Sequence, residues 1–188
     1  MIEKYERIIG EIANFSDFIY NKYENEIKDN LVLGKDALSI QTGKLNANQA
    51  TDKGEYPFYT CGKDVLKIDN YSFDGDSIIL AGNGEISVKY YDGKFDAYQR
   101  TYVIKTNSFF FLFLKEFEKR VDEFKNGSQG SVIKFITKSM IENVNIETNE
   151  NSNTFNNNLK LLYKLKINYQ KNISTLQKIK STLLSKYF

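Results

Sequence analysis

The longest periodic pattern in the chain lies in its last 34 residues, at positions 155–188. Steps of four and three residues in alternation reach ten positions there, and eight of the ten are apolar. These positions are Phe155, Leu159, Leu162, Lys166, Tyr169, Ile173, Leu176, Lys180, Leu183 and Tyr187. Because this spacing is that of a coiled-coil seam, the segment predicts a long helix that packs against another helix. The alternative is an ordinary long surface helix.

Residues 1–30 predict a second amphipathic helix. Its apolar residues recur at spacings of three and four, and Ser16 interrupts the stripe. This segment holds seven acids and four bases, whereas the tail at 155–188 holds seven lysines and no acid. The opposite charges allow the two helices to pair, but the first helix could equally pack on the middle of the chain.

Between these helices, apolar and polar residues alternate along short runs of residues 31–150, and Gly, Asp and Asn separate the runs. Residues 85–91 and 94–104 predict a β-hairpin that turns at Asp92-Gly93. Residues 109–124 return to a helical period, and the Asn-rich run 149–158 predicts a hinge before the tail. The fold class is therefore α+β: a mixed α/β domain at 31–150, flanked by a helix at 1–30 and a long helical region at 151–188.

The amino-acid composition excludes several kinds of catalytic and metal site. The chain has no histidine and a single cysteine, Cys61, which excludes Ser-His or Cys-His nucleophile pairs, histidine zinc sites and an intrachain disulfide. The longest apolar run, at 109–114, is too short to span a bilayer, and the charged N-terminus does not resemble a signal peptide. We expect a soluble, cytoplasmic protein that makes no membrane contact.

The remaining catalytic patterns are weak. The sequence AGNG at 81–84 lacks the third glycine of a nucleotide-binding turn and is followed by a strand pattern. The acid-x-Lys triplet at 26–28 falls on the predicted first helix, where such residues usually face solvent. We therefore expect no catalytic residue, no metal and no cofactor in this chain.

Polar loops with aromatic neighbours favour nucleic-acid binding. Asn and Gln can read adenine, Arg and Lys can read guanine, and Ser, Thr and Tyr can hold phosphates. The candidates in these loops are Gln41, Thr42, Lys44, Asn46, Tyr98, Gln99, Arg100, Ser128, Gln129 and Ser131. For Arg100 the alternative is a structural role, in which it pairs with an acid beside its strand.

The order of several motifs resembles a known family. TGKLNAN at 42–48, YPFYTC at 56–61, KFDAYQRTYVI at 94–104 and a glycine-rich GSQGS loop at 127–131 precede a Lys-rich helix. Together they resemble, over about residues 30–188, one target-recognition domain and one helical region of a type I restriction-modification specificity (S) subunit. Such subunits carry two of each, so the chain resembles a half-subunit. It departs from the family at 144–155, which lacks the usual prolines and Glu-Gln.

The resemblance implies a non-catalytic subunit that reads double-stranded DNA. It also implies partnership with methyltransferase (M) and restriction (R) subunits, with S-adenosylmethionine belonging to M. A half-subunit would form a homodimer through its helices and read a split palindrome. The expected interface residues are Leu159, Leu162, Tyr169, Ile173, Leu176 and Leu183. One alternative is a half-subunit that binds or regulates M without its own DNA target, and another is a nuclease fragment.

Overall fold

The computed structural model describes residues 1–26, 28–126 and 135–187. The helices are α1 (Ile2–Glu24), α2 (Gly34–Ala37), α3 (Phe110–Lys119), α4 (Val121–Asn126), α5 (Lys138–Glu142) and α6 (Ser152–Tyr187). The strands are β1 (Asn30–Val32), β2 (Leu38–Thr42), β3 (Tyr56–Tyr59), β4 (Leu66–Ile68), β5 (Ser77–Ala81), β6 (Val88–Tyr91), β7 (Asp96–Ala97), β8 (Thr101–Thr106) and β9 (Ile146–Thr148), and a 3₁₀ turn spans Ala47–Gln49.

The chain divides into a helical unit and an α/β unit. The helical unit comprises Met1–Lys28 and Asn149–Phe188, and the α/β unit comprises Asp29–Thr148. The predicted fold class, a mixed α/β domain flanked by long helices, is confirmed. Within the described ranges, no helix combines the length and apolar character needed to cross a membrane.

In the helical unit, α1 packs antiparallel against α6. Tyr5 contacts Tyr169 with ring centroids 5.3 Å apart, and Tyr23 contacts Phe155 at 5.6 Å. Of the two arrangements open to the first helix, the structure therefore shows pairing with the tail. Ser16 does not interrupt the stripe, because its hydroxyl is buried and donates to the Ile12 carbonyl at 2.8 Å.

The two helices differ in length, and this leaves the end of α6 uncovered. α6 has 36 residues and α1 has 23, a difference of 13 residues or about 20 Å of helix. The predicted seam positions from Phe155 to Leu176 are buried or half-buried, whereas Lys180 and Leu183 are exposed. The seam thus loses its intrachain cover beyond the N-terminal end of α1, where Tyr5 contacts Tyr169.

The expected hinge is shorter than the Asn-rich run at 149–158, because α6 already begins at Ser152. Asn149 organises this start. Its side-chain oxygen accepts from the Asn151 N–H at 2.9 Å, and its side-chain nitrogen donates to the Glu26 carboxylate at 3.1 Å. Asparagine side chains can satisfy backbone N–H groups at a helix start, so the run 152–158 continues as helix.

In its described residues, the α/β unit contains three sets of paired strands. β2, β8, β5 and β6 form an antiparallel sheet in that order. β4, β3 and β7 form another, in which β3 and β7 run parallel, and β1 pairs with β9. The core holds β5, whose five residues are all buried, and the fully buried apolar side chains of α3.

The hairpin predicted at Asp92-Gly93 is wrong. β6 pairs instead with β5, with Ser77 opposite Tyr91, and β8 pairs with the other edge of β5. After Gly93, whose φ is 134°, the chain leaves this sheet and β7 joins β3. The strongly apolar β5 takes the central position between β6 and β8, because there its backbone groups are paired on both sides.

The continuous helix predicted over 109–124 is likewise interrupted. α3 ends at Lys119 and α4 begins at Val121, with Arg120 between them. The Arg120 side chain donates to Glu116 at 2.6 Å, and it also lies 3.9 Å from Glu123. These ion pairs hold the break together from both sides.

Replacing Leu159 with alanine tests the packing of the helical unit. Leu159 is fully buried, so we expect Leu159→Ala to lower the free energy of unfolding by about 2–5 kcal/mol through lost apolar contacts and a cavity. Leu161 lies on the same helix with 69% of its surface exposed, and Leu161→Ala should change stability by no more than about 0.5 kcal/mol. Urea unfolding followed by circular dichroism gives both values, and equal losses would contradict the packing described.

Candidate nucleic-acid interface

A close backbone contact at Gly43 brings two of the predicted loops together. A Cβ on Gly43 would lie 1.7 Å from the Ala97 carbonyl oxygen, so no larger residue fits without a backbone shift. The Gly43 N–H donates to the Thr101 carbonyl at 3.2 Å, and the Gln99 N–H donates to the Leu45 carbonyl at 3.0 Å. The segment that follows β2 is therefore fixed against the one that precedes β8.

We call this contact between the segment after β2 and the segment before β8 the joint. The side chains of Asn46 and Gln99 meet across it. Gln99 Nε2 donates to Asn46 Oδ1 at 3.0 Å, although the two residues lie 53 positions apart in sequence. The Asn46 backbone N–H donates to Gln49 Oε1 at 2.8 Å, which ties the loop to the 3₁₀ turn. Both amide side chains are exposed and held in a defined orientation.

An open cleft of about 170 Å³ lies beside this pair. Its lining includes the predicted residues Thr42, Gln99 and Arg100. The other lining residues are Gly82, Tyr102, Phe135 and Ile136. Polar side chains suited to base edges and an aromatic ring thus share one concave surface.

Hydrogen bonds fix the backbone around the cleft. The Tyr102 hydroxyl donates to the Ile136 carbonyl at 2.9 Å, and the Ile136 N–H donates to the Gly82 carbonyl at 2.7 Å. Gly82 in turn donates its N–H to the Arg100 carbonyl at 2.9 Å. Burial raises the pKa of Tyr102, so its hydroxyl stays protonated at neutral pH and remains a donor.

A neighbouring turn supports the Arg100 backbone. The Cys61 thiol donates to the Arg100 carbonyl at 3.4 Å and lies 3.7 Å from the Thr101 hydroxyl. Lys89 donates to the Gly62 and Lys63 carbonyls at 3.1 and 3.0 Å. Partial burial lowers the pKa of Lys89, and the nearby Glu85 carboxylate opposes that shift. The Cys61 thiol and the Lys89 ammonium group thus both donate hydrogen bonds to backbone carbonyls.

Arg100 lines the cleft and Lys44 lies in the segment that follows β2, and both are exposed positive charges. Neither forms a salt bridge with any residue in the described parts of the chain. An arginine with a structural ion pair would have a carboxylate within about 4 Å. The structural alternative for Arg100, in which an acid neutralises it, therefore lacks its partner among the described residues.

The other predicted DNA-binding residues differ in position. Gln41 is exposed on β2 opposite Val103, and Tyr98 is half-buried with its N–H donating to the Tyr59 carbonyl at 2.9 Å. Ser128, Gln129 and Ser131 lie outside the described residues.

The predicted interface residues on α6 range from buried to exposed. Leu159 is buried and Leu183 is exposed. Those between them are half-buried: Leu162, Tyr169, Ile173 and Leu176.

Tyr102 and Phe135 line the cleft but are not among the residues predicted from the sequence. Tyr102 alternates with the buried Val103, so the strand period alone could have placed it on the opposite face. Phe135 gives no comparable signal, because its position depends on an isolated bridge to Asn83, 52 residues earlier in the chain. Among the residues described, no cluster of Cys, Asp and Glu could hold a metal ion.

A family model, the type I restriction modification DNA specificity domain, matches residues 35–148, which is more than half of the chain. That range contains the joint and the cleft. The chain belongs to this family.

The type I restriction enzyme EcoDI specificity subunit of Escherichia coli is 42% identical over 113 residues, 58% of this chain and 25% of that protein. The match thus spans about a quarter of the length of this curated relative. The S subunit of a type I restriction-modification system from M. genitalium is similar in fold, with a TM-score of 0.78 and 17% identity over all of this chain and 56% of that one. The HsdS subunit from Thermoanaerobacter tengcongensis is also similar in fold, with a TM-score of 0.55 and 11% identity. That match covers 98% of this chain and 54% of the HsdS chain.

A methyl group added at Gly43 tests the joint. Gly43→Ala must displace the backbone at Ala97 and Tyr98, so we expect a loss of about 1–3 kcal/mol in the free energy of unfolding. Gly62 is the matched control, because the nearest atom to a Cβ there is the Thr60 hydroxyl at 3.5 Å. Thermal unfolding of both variants provides the comparison, and a Gly43→Ala protein as stable as Gly62→Ala would disprove the close contact.

Proposed function

We propose that this chain is a non-catalytic DNA sequence-recognition subunit of a type I restriction-modification system. Its α/β unit reads base edges in the major groove, and its helices serve assembly. In this proposal the functional segments are residues 1–30, 31–150 and 151–188. Family membership supports the class, and the cleft beside the Asn46–Gln99 pair is the observation that carries the residue assignment.

The chemistry of this surface suits DNA better than a small-molecule substrate. Arg100 can donate two hydrogen bonds to guanine, and an amide side chain can pair with adenine. Lys44 and Thr42 can contact phosphates that flank the bases. Thr42, Gln99 and Arg100 are exposed and line one cleft, so a single stretch of duplex can contact them together.

The helical unit supports a role in assembly. Phe15 and Phe18 stack on each other on α1 with ring centroids 6.0 Å apart, and both are exposed. Leu161 and Leu165 are exposed on α6, and so are the apolar residues beyond the reach of α1: Ile179, Leu183 and Leu184. Apolar surface of this kind marks contact sites for other chains. We propose that it pairs two copies of the chain and docks methyltransferase and restriction subunits, which carry the catalysis.

Two copies related by a two-fold axis would present two recognition surfaces in opposite orientations. Each copy would read the same short sequence on opposite strands, so the target would be an interrupted palindrome. The helices would set the number of base pairs between the two halves.

Replacing Arg100 with alanine tests direct reading of a base. A target is first selected from random-sequence duplexes with the chain, alone and together with its methyltransferase subunits. We then expect Arg100→Ala to lose about 1–3 kcal/mol of discrimination at one position of that target and little elsewhere. The affinities for all single-base variants of the target give a specificity profile, which is the loss of binding at each position.

The matched control is Arg7→Ala, because Arg7 is an exposed arginine on α1 whose partner is Glu11. It should leave the profile unchanged. A loss that is equal at every position for Arg100→Ala would indicate phosphate contact and contradict base reading. Failure to enrich any sequence would contradict the proposed function.

An acidic residue at Leu183 tests assembly through the uncovered end of α6. We expect the wild-type chain to have twice the mass of one chain at tens of micromolar in light scattering. Leu183→Asp should weaken that association about tenfold or more, because it puts a charge in an apolar contact. Ser181→Asp adds the same charge at an exposed position two residues away and should keep the dimer. A wild-type chain that stays monomeric at that concentration without DNA would refute self-association.

A further inference from the structure

Phe135 is a large apolar side chain held in an exposed position. Its surface is 57% exposed, and it forms a β-bridge with Asn83. The next residue is anchored on both sides, since the Ile136 N–H donates to Gly82 and the Ile136 carbonyl accepts from the Tyr102 hydroxyl. The backbone thus directs this ring to the cleft without burying it. A single exposed phenylalanine is common, so its meaning depends on its neighbours.

Those neighbours are the readout side chains. Phe135 lines the same cleft as Gln99, Arg100 and Thr42. Gln99 is oriented by its bond to Asn46, which uses one N–H of its side-chain amide. No other described residue bonds to this amide, so its second N–H and its carbonyl oxygen are the donor and acceptor needed for adenine N7 and N6.

An A·T pair matches this combination. Across the major groove it presents adenine N7 and N6 at one side and the thymine methyl group at the other, and thymine is the base that offers an apolar group there. A guanine–cytosine pair would leave the aromatic ring without an apolar contact. It would also place the acceptor O6 of guanine against the carbonyl oxygen of Gln99.

We infer that the cleft reads one A·T base pair, with Gln99 on the adenine and Phe135 on the thymine methyl group. This inference deepens the proposed function and rests on it. Phe135 is in that case a specificity-determining residue, and its exposure in the free protein ends when the methyl group packs against the ring.

Base analogues test this inference. In the target selected by the wild-type chain, each thymine is replaced in turn by uracil, which lacks the methyl group, and each adenine by 7-deazaadenine, which lacks the N7 acceptor. We expect one base pair at which both replacements weaken binding, each by about five- to tenfold, as one lost base contact does. Phe135→Ala should abolish the discrimination between thymine and uracil there, and Gln99→Ala should abolish the discrimination at N7.

Two further variants separate this effect from damage to the fold. Phe135→Leu keeps an apolar side chain and should retain preference for thymine over uracil. Val65→Ala removes apolar surface from another exposed site of the α/β unit and should leave the preference unchanged.

Persistent thymine preference in Phe135→Ala would overturn the inference. So would a loss that is equal at every base, as expected of a wedge inserted between base steps. In both cases the chain still selects a DNA sequence and the proposed function stands. If the wild-type chain selects no sequence, the proposed function and the inference fail together.

Discussion

The close approach of two backbone segments at Gly43 is the constraint on which the candidate interface depends. The absence of a side chain allows the end of β2 to lie against Ala97 and Tyr98, and the backbone bonds to Thr101 and Leu45 follow from that approach. The Asn46–Gln99 pair is possible because the joint has already brought the two loops within reach. A glycine therefore determines where polar side chains meet, although it has no functional group of its own.

A second level of support lies beneath the exposed side chains. Arg100 and Gln99 are exposed, but the backbone that carries them is bonded to Gly82 and Leu45, and the Arg100 carbonyl also accepts from the Cys61 thiol. Reading a base requires side chains held in a narrow range of positions, because hydrogen bonds weaken steeply with misalignment. A bonded backbone beneath exposed side chains meets that requirement while leaving their polar ends accessible to a ligand.

The sequence predicted the elements with strong local periodicity. The α6 helix was predicted to within a few residues, because its apolar spacing continues for many turns and no proline or glycine breaks it. The hairpin at Asp92-Gly93 was predicted wrongly, because a local turn signal does not show that β5 must be flanked on both edges. Thr42, Gln99 and Arg100 were chosen for their chemistry and do share a cleft, whereas Phe135 depends on a bridge between distant segments that no local pattern encodes.

In each of the two units the points where the chain enters and leaves are neighbours, and this explains how the α/β unit can be inserted in the sequence between α1 and α6. In the α/β unit, β1 pairs with β9, so Asn30 lies opposite Thr148 and the first and last strands are neighbours. In the helical unit, Asn149 and Asn151 both donate to Glu26, which joins the end of α1 to the start of α6. Insertion of a domain whose ends are adjacent costs little loop-closure entropy. The contacts of Glu26 with Asn149 and Asn151 use only residues at the two helix ends, so the helical unit itself holds the end of α1 next to the start of α6.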